Sequence, residues 1–338
     1  MKRLIAIGAL AAVLVSAQVA VPSWACACGA PAPQPGYEVD VDRENAIVRW
    51  DGEREEIVMQ LDMRSDAGET GLVVPTPNPA TVSAGDGALF EALETAILPV
   101  RVVEQDWWGP GVGLGTAGGA PGDAAPEVLA QVQLGPIEAT TLAASDADGL
   151  TVWLDDNGYE LAPAVTEELG PYIELGWSFV ALKLTGELPL DGELDPIRFT
   201  FDSDDLVYPM RMSRAAENSQ TVRLYVLDDH RATVAWTGDE AFDSDMRTTW
   251  AGRPTDPVIT ELGDYLTVID LQFADPALQI KGDILIEQAD DDTEVIPTYT
   301  VTETVELLGM PAGPLLVTFA IMFGIAAVII TIRRRRGV

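Results

Sequence analysis

Two cysteines, one histidine and 54 acidic side chains are the residues of this 338-residue chain best suited to hold a metal, activate a nucleophile or cleave a glycosidic bond. Cys26 and Cys28 are separated by Ala27. That spacing fits three roles: a local disulfide, two ligands of a metal site, or lipid attachment at Cys26 once a leader is removed. A closed zinc site takes three or four protein ligands, and His230 is remote in sequence. A lipid-attachment box carries Leu three residues before its cysteine, where this chain has Ser23, followed by bulky Trp24. A local disulfide, or thiols pinned near the core, is the simpler expectation. Hydrolysis by an activated nucleophile needs Ser, Thr or Cys beside an oriented base. His230 lies in Leu227-Asp228-Asp229-His230-Arg231 between two strand-like runs, where a turn histidine needs no catalytic role. Two carboxylates suffice for glycoside hydrolysis, but among 54 acids no pair stands out. No catalytic residue is assigned.

Calcium is the better small-ligand reading, because hard cations take several oxygens from one loop. Asp146-Ala147-Asp148-Gly149, with Asp155 seven residues past Asp148, matches part of a helix-loop-helix calcium loop. The first ligand position falls on Ala144, however, and the last is Asp155 instead of the longer Glu. Asp202-Ser203-Asp204-Asp205 and Asp290-Asp291-Asp292 offer less geometry. Capped turns are the simpler account of these acids, and no cofactor beyond calcium is implied. The glycines from Gly109 to Gly115 neither follow a strand nor open a helix, so they make no phosphate cradle. Trp107 and Trp108 beside them fit either a contact for a protein or glycan partner or a lid over the core.

The elements that position these residues begin with the two ends. Met1-Lys2-Arg3, the apolar run Leu4 to Val21 and Pro22-Ser23-Trp24-Ala25 form the charged, apolar and small-residue regions of a secretory signal, read as 1–25. Leu315 to Ile332 is an uninterrupted apolar stretch, about 27 Å long as a helix and near the thickness of a bilayer core. Four arginines, Arg333 to Arg336, follow it, and such a block stays on the cytoplasmic side. The expectation is a single-pass protein of the cell membrane, N-terminus extracellular and C-terminus cytoplasmic. Its parts would be a spanning helix at 313–332, a cytoplasmic tail at 333–338 and a polar stalk at 290–312. Of the 20 Lys and Arg, two lie in the leader and four beyond the helix, leaving 14 against 54 acids and a body of formal charge −40. Such a body repels nucleic acid and anionic lipid headgroups.

Between the ends, apolar and polar residues alternate. Ala46–Trp50 and Glu56–Met63 flank Asp51-Gly52, a hairpin signal because the tight turn needs positive φ. Further strands are read at Leu72–Val74, Val128–Ile137, Ser178–Leu184, Ile197–Phe201, Val222–Val226, Ala232–Trp236, Leu266–Leu271 and Ile284–Ile286. Helical spacing places one helix after Asp86, one through Leu150, Trp153 and Leu154 up to Asn157-Gly158, and one from Pro163 that stops before Pro171. These predict an α+β, β-rich ectodomain, an antiparallel sheet or sandwich with a few short helices, over 26–289. The Gly-rich stretch 109–126 marks where two subdomains would divide.

Several segments resemble the bacterial domain-of-unknown-function family 2330. They are Cys26-Ala27-Cys28-Gly29, Val73-Val74-Pro75-Thr76-Pro77-Asn78-Pro79, Trp153 to Tyr159, Tyr172 to Leu184, and Pro196-Ile197-Arg198-Phe199-Thr200-Phe201 through Tyr208-Pro209-Met210-Arg211. Their order and spacing carry the likeness from Cys26 to Arg231. The resemblance implies a surface domain and supplies no catalytic residue. The resulting expectation is a membrane-anchored, non-enzymatic binding or envelope-associated module that contacts a protein or glycan and excludes nucleic acid. An extracellular carboxylate-dependent hydrolase and a calcium-binding surface protein are the alternatives.

Overall fold

The computed structural model describes residues 28–109, 131–132, 138–142, 147–185, 190–238, 240–242 and 245–335. The leader, Cys26, Asp146 and most of the Gly-rich stretch lie outside these residues.

The first hairpin is the spine of the molecule. Val39–Trp50 and Arg54–Ser65 pair antiparallel along most of their length. The connection is Asp51–Glu53, longer than a two-residue turn, because the Asp51 carboxylate accepts the N–H groups of Glu53 and Arg54 and caps a wider loop. Gly52 supplies the left-handed residue of that loop at φ +95. On one side, Val39–Trp50 pairs parallel with Gln220–Asp228, which pairs antiparallel with Tyr265–Phe273 and then Asp245–Gly252. On the other side, the long strand Arg54–Ser65 carries two short neighbours in line, Ile197–Asp202 along its first half and Leu190–Leu194 along its end. The result is a mixed sheet of nine strands among the described residues.

A second, antiparallel sheet runs Ala30–Ala32, Glu69–Thr76, Ser178–Thr185, Glu138–Leu142. A third holds Val207–Tyr208, Ile284–Gln288 and Ala232–Trp236. Because side chains alternate across a strand, each sheet face joins a different core. Val48, Ile57, Met59, Leu72, Val74, Val180 and Leu182 enter the central core between sheets. Their sequence neighbours Ile47 and Val58 pack with Leu89, Phe90 and Leu93 of the helix Gly87–Ala96 on the outer face. Val73, Phe179 and Ala181 meet Leu150, Leu154, Val165, Leu169 and Tyr172 from the helices Ala147–Asn157 and Pro163–Leu175. The layers therefore stack helix, sheet, sheet, helix, the β-rich α+β sandwich that alternation predicts.

Local signals set most helix ends. Asp86 caps Gly87–Ala96 by accepting the Ala88 N–H, and Ala147–Asn157 stops at Gly158. The helix from Pro163 runs through Pro171 to Leu175, past the expected stop. Proline removes one bond to the carbonyl four residues back, here that of exposed Glu167, where solvent can take its place. Burying Tyr172 one residue later favours continuing the helix. Several strands went unread in the sequence, among them Asp245–Gly252, Val100–Asp106 and Thr298–Thr304. The last two pair parallel, residue for residue, within the region expected as stalk and the segment before Trp107.

Candidate functional site

Three fully buried carboxylates, Glu44, Glu55 and Asp283, converge on the segment from Val207 to Arg211. Glu55 lies in phase with Ile57, Met59, Leu61 and Met63, so strand alternation alone turns it inward. Glu44 reaches the same core through a register shift between Val41 and Arg43. Before the bulge, Val39 and Val41 face the core; after it, Glu44, Ala46 and Val48 do. Asp283 leads into the strand Ile284–Gln288, its own N–H held by the Thr237 hydroxyl.

Each acid takes a different part of the segment. Glu55 accepts the Val207 N–H at 3.2 Å. Glu44 accepts the Tyr208 hydroxyl and, at 3.3 Å, the Cys28 N–H. One oxygen of Asp283 accepts the Met210 N–H at 2.8 Å, the Arg211 N–H at 3.1 Å and the Tyr172 hydroxyl at 2.5 Å. Burial and the neighbouring Cys28 and Glu44 push the Tyr208 phenol well above its ordinary pKa, and burial with the Asp283 charge does the same to Tyr172. Both phenols thus remain protonated donors. Burial lifts the Glu55 carboxyl well above the usual range, because the Val207 N–H and Ser203 bonds do not offset desolvation. These acids grip the protein's own backbone and phenols, which gives them a structural part in the clamp.

The clamp fixes the start of the 3₁₀ turn Arg211–Ala215, and the far end of that turn forms one wall of a cleft of about 530 Å³. Opposite stand the loop Pro33 to Tyr37, which follows the strand containing Ala30, and the segment from Glu160 into the helix at Pro163. The Glu160 N–H bonds the Pro33 carbonyl at 3.2 Å and joins the two walls. Gln34 donates to Glu69, which also pairs with Lys183 at 3.0 Å, so the loop is tied to the second sheet. The lining is proline, alanine and Tyr37 on the apolar side, with Glu160 and Glu217 as exposed charges. Such a surface offers shape and aromatic contact to a ligand. A second depression of about 300 Å³ collects Arg43, Arg223 and Arg247, but Arg223 is bound in fork geometry to Asp270 at 2.7 and 3.0 Å.

The residues singled out in the sequence are dispersed. Cys28 is 1% exposed and packs its thiol on the Met59 sulfur inside the clamp, while Cys26 lies outside the described residues. Asp146 also lies outside them. Asp148 and Asp155 fall on one helix two turns apart, about 10 Å along its axis, so the backbone does not close a loop around an ion. The Ser203 hydroxyl donates to the Asp205 carbonyl, Asp292 accepts from Arg231 N–H and contacts His230, and Asp291 accepts the Thr293 N–H. Among the described residues, no three His, Cys, Asp or Glu side chains are grouped to hold a metal. Trp107 and Trp108 stand half exposed at the root of the C-terminal helix, away from the cleft lining.

The clamp draws together three of the pieces that carried the resemblance, Cys28, Tyr172 and Tyr208–Arg211. Residues 22–287 match the model of a family described as an uncharacterized protein conserved in bacteria, DUF2330. The chain belongs to that family. The match contains all three clamp acids and the whole cleft lining, and it ends before the apolar helix. No curated protein and no solved structure matches the chain.

Proposed function

We infer that this chain is a single-pass surface protein of the cell membrane, with the DUF2330 domain outside, and that the domain is a non-enzymatic binding module. The observation that carries the anchoring is the helix Ala312–Arg335, 24 residues long, whose most apolar 18 residues have mean hydropathy 2.8 and are not covered by the rest of the chain. Arginines Arg333 to Arg335 occupy its last turn, which favours a cytoplasmic C-terminus. Support for binding over hydrolysis comes from the clamp: Glu44 and Asp283 are engaged by backbone and tyrosine donors and one Glu55 oxygen holds the Val207 N–H, whereas the cleft beside Tyr37 faces solvent with a preformed wall of prolines. Its ligand is an extended protein segment, with Glu160 and Glu217 favouring a basic residue. Protease treatment of intact cells, followed by carbonate extraction, tests the anchoring. The domain should be digested from outside while a C-terminal fragment stays in the membrane; release by carbonate, or cleavage only after lysis, overturns it. In a second arm, the domain is probed on peptide and glycan arrays. Binding to basic peptides that falls at least tenfold in Tyr37→Ala supports the cleft, and binding confined to glycans or unaffected by the substitution refutes it.

A further inference from the structure

The C-terminal helix is joined to the domain by more than a tether. Thr298–Thr304 pairs in parallel with Val100–Asp106, and the backbone bonding continues past the ribbon's end. Val305 N–H bonds Asp106 O at 2.8 Å, Ala312 N–H bonds Val305 O at 2.8 Å, and Gly313 N–H bonds Trp107 O at 2.6 Å. The first residues of the helix are thereby locked to the strand that ends in the tryptophan pair. A Cβ at Gly313 would lie 2.6 Å from the Trp107 carbonyl oxygen and 3.0 Å from Trp108 Cδ2, so glycine permits the close approach.

Around this junction large apolar side chains stand in water beside the acids Asp106 and Glu306. Trp107 and Trp108 are 45% and 47% exposed. Glu306–Leu307 and Met310–Pro311 form a small hairpin whose turn residues, Leu308 and Gly309, both have positive φ, +59 and +75. That is the two-residue turn favoured in hairpins, but it places a branched residue in the left-handed region and leaves Leu308 82% exposed at the tip. Leu307 and Met310 are exposed beside it. Water is a poor solvent for this group, and a soluble domain gains nothing by holding it out.

The level of the group along the helix identifies what covers it. Gly313 precedes Leu315, where the uninterrupted apolar stretch begins, by two residues, about 3 Å along the axis. The tryptophans therefore lie at the depth where a bilayer core gives way to headgroups, the layer that Trp prefers. We propose that Trp107, Trp108, Leu307, Leu308 and Met310 form a collar that enters the outer interface of the bilayer and seats the domain on the membrane in one orientation. This rests on the anchoring read above. The acidic body repels anionic headgroups, so seating proceeds by insertion of apolar and aromatic groups rather than by charge.

The test uses the mature chain, without the leader 1–25, reconstituted into phosphatidylcholine vesicles with or without bromine on the acyl carbons nearest the headgroup. Flotation with the vesicles reads anchoring alone, and bromine quenching of tryptophan emission reads the collar. Of the eight tryptophans Trp24 leaves with the leader, so the pair makes up two of seven, and equal emitters entering the interface would lose up to roughly two sevenths of the emission. Trp107→Phe/Trp108→Phe should float equally and lose that quenching. Protein that floats but shows no quenching, or the same quenching in the double variant, overturns the collar and leaves the anchor standing. Floating protein that cross-links through this face to a second copy also overturns it. Failure to float refutes the anchoring and the collar together.

Discussion

Replacing Asp283 by Ala puts the clamp to its most direct test. The carboxylate is 1% exposed and accepts three hydrogen bonds. The losses differ among its donors. The Arg211 N–H also reaches the Tyr172 oxygen at 3.2 Å and keeps a partner. Met210 N–H has no second acceptor in view and would be stranded in the core, which costs about 1–3 kcal/mol. The Tyr172 hydroxyl would lose a bond to a charged acceptor, about 1.5–3 kcal/mol. The sum is on the order of 3–5 kcal/mol, and at about 2–4 °C per kcal/mol for a domain near this size, Tm should fall by roughly 10 °C. Tyr172→Phe removes one of these bonds and leaves the Arg211 N–H on Asp283, and should cost about half as much. Because the two residues share one bond, the double variant should cost less than the sum of the singles by about 0.5–3 kcal/mol. Calorimetry of the domain with the four proteins reads all three quantities. An Asp283→Ala midpoint within about 2 °C of wild type, or strict additivity with Tyr172→Phe, would show that the clamp does not hold the segment.

Glu55 should make stability fall as pH rises. Its folded pKa stands above the ordinary 4.5 because of burial, so at acid pH both states are protonated; above it the unfolded chain releases its proton first and gains. Glu55→Gln keeps an oxygen for Val207 N–H and removes that slope, so its advantage in urea melts should widen from pH 4 to pH 7; a constant gap contradicts the assignment. His230, the chain's one histidine, bonds Asp292 at 3.0 Å, which raises its pKa above 6.5. The stabilising contact is fully present below the unfolded pKa and is lost as pH rises through the folded one. The single imidazole resonance should titrate above 6.5 and return toward it in Asp292→Asn; a midpoint indifferent to Asp292 would place the histidine elsewhere.

What could be read without the structure was local. Apolar alternation exposed Ala46–Trp50 and Ser178–Leu184 because a half-buried strand repeats every two residues, and Asp86 showed itself as a cap because its side chain bonds two residues away. Glu55 was legible in principle: it continues the inward phase of Ile57, Met59 and Leu61. Glu44 was not, since a bulge shifts the phase just before it. Pro171 misled for a related reason, because a local rule about proline yielded to the burial of Tyr172 against Asp283.

By itself, the sequence determined the elements whose signals lie within one turn or one strand: the alternating runs, the capped helices, and an apolar segment long enough to cross a bilayer. Tertiary structure alone decided the pairing of Val100–Asp106 with Thr298–Thr304, the convergence of Glu44, Glu55 and Asp283 on Val207–Arg211, and the position of Trp107 against Gly313. Those contacts join residues far apart in the chain. Nothing in either partner's neighbours names the other, and only the closing of the sheets brings them together.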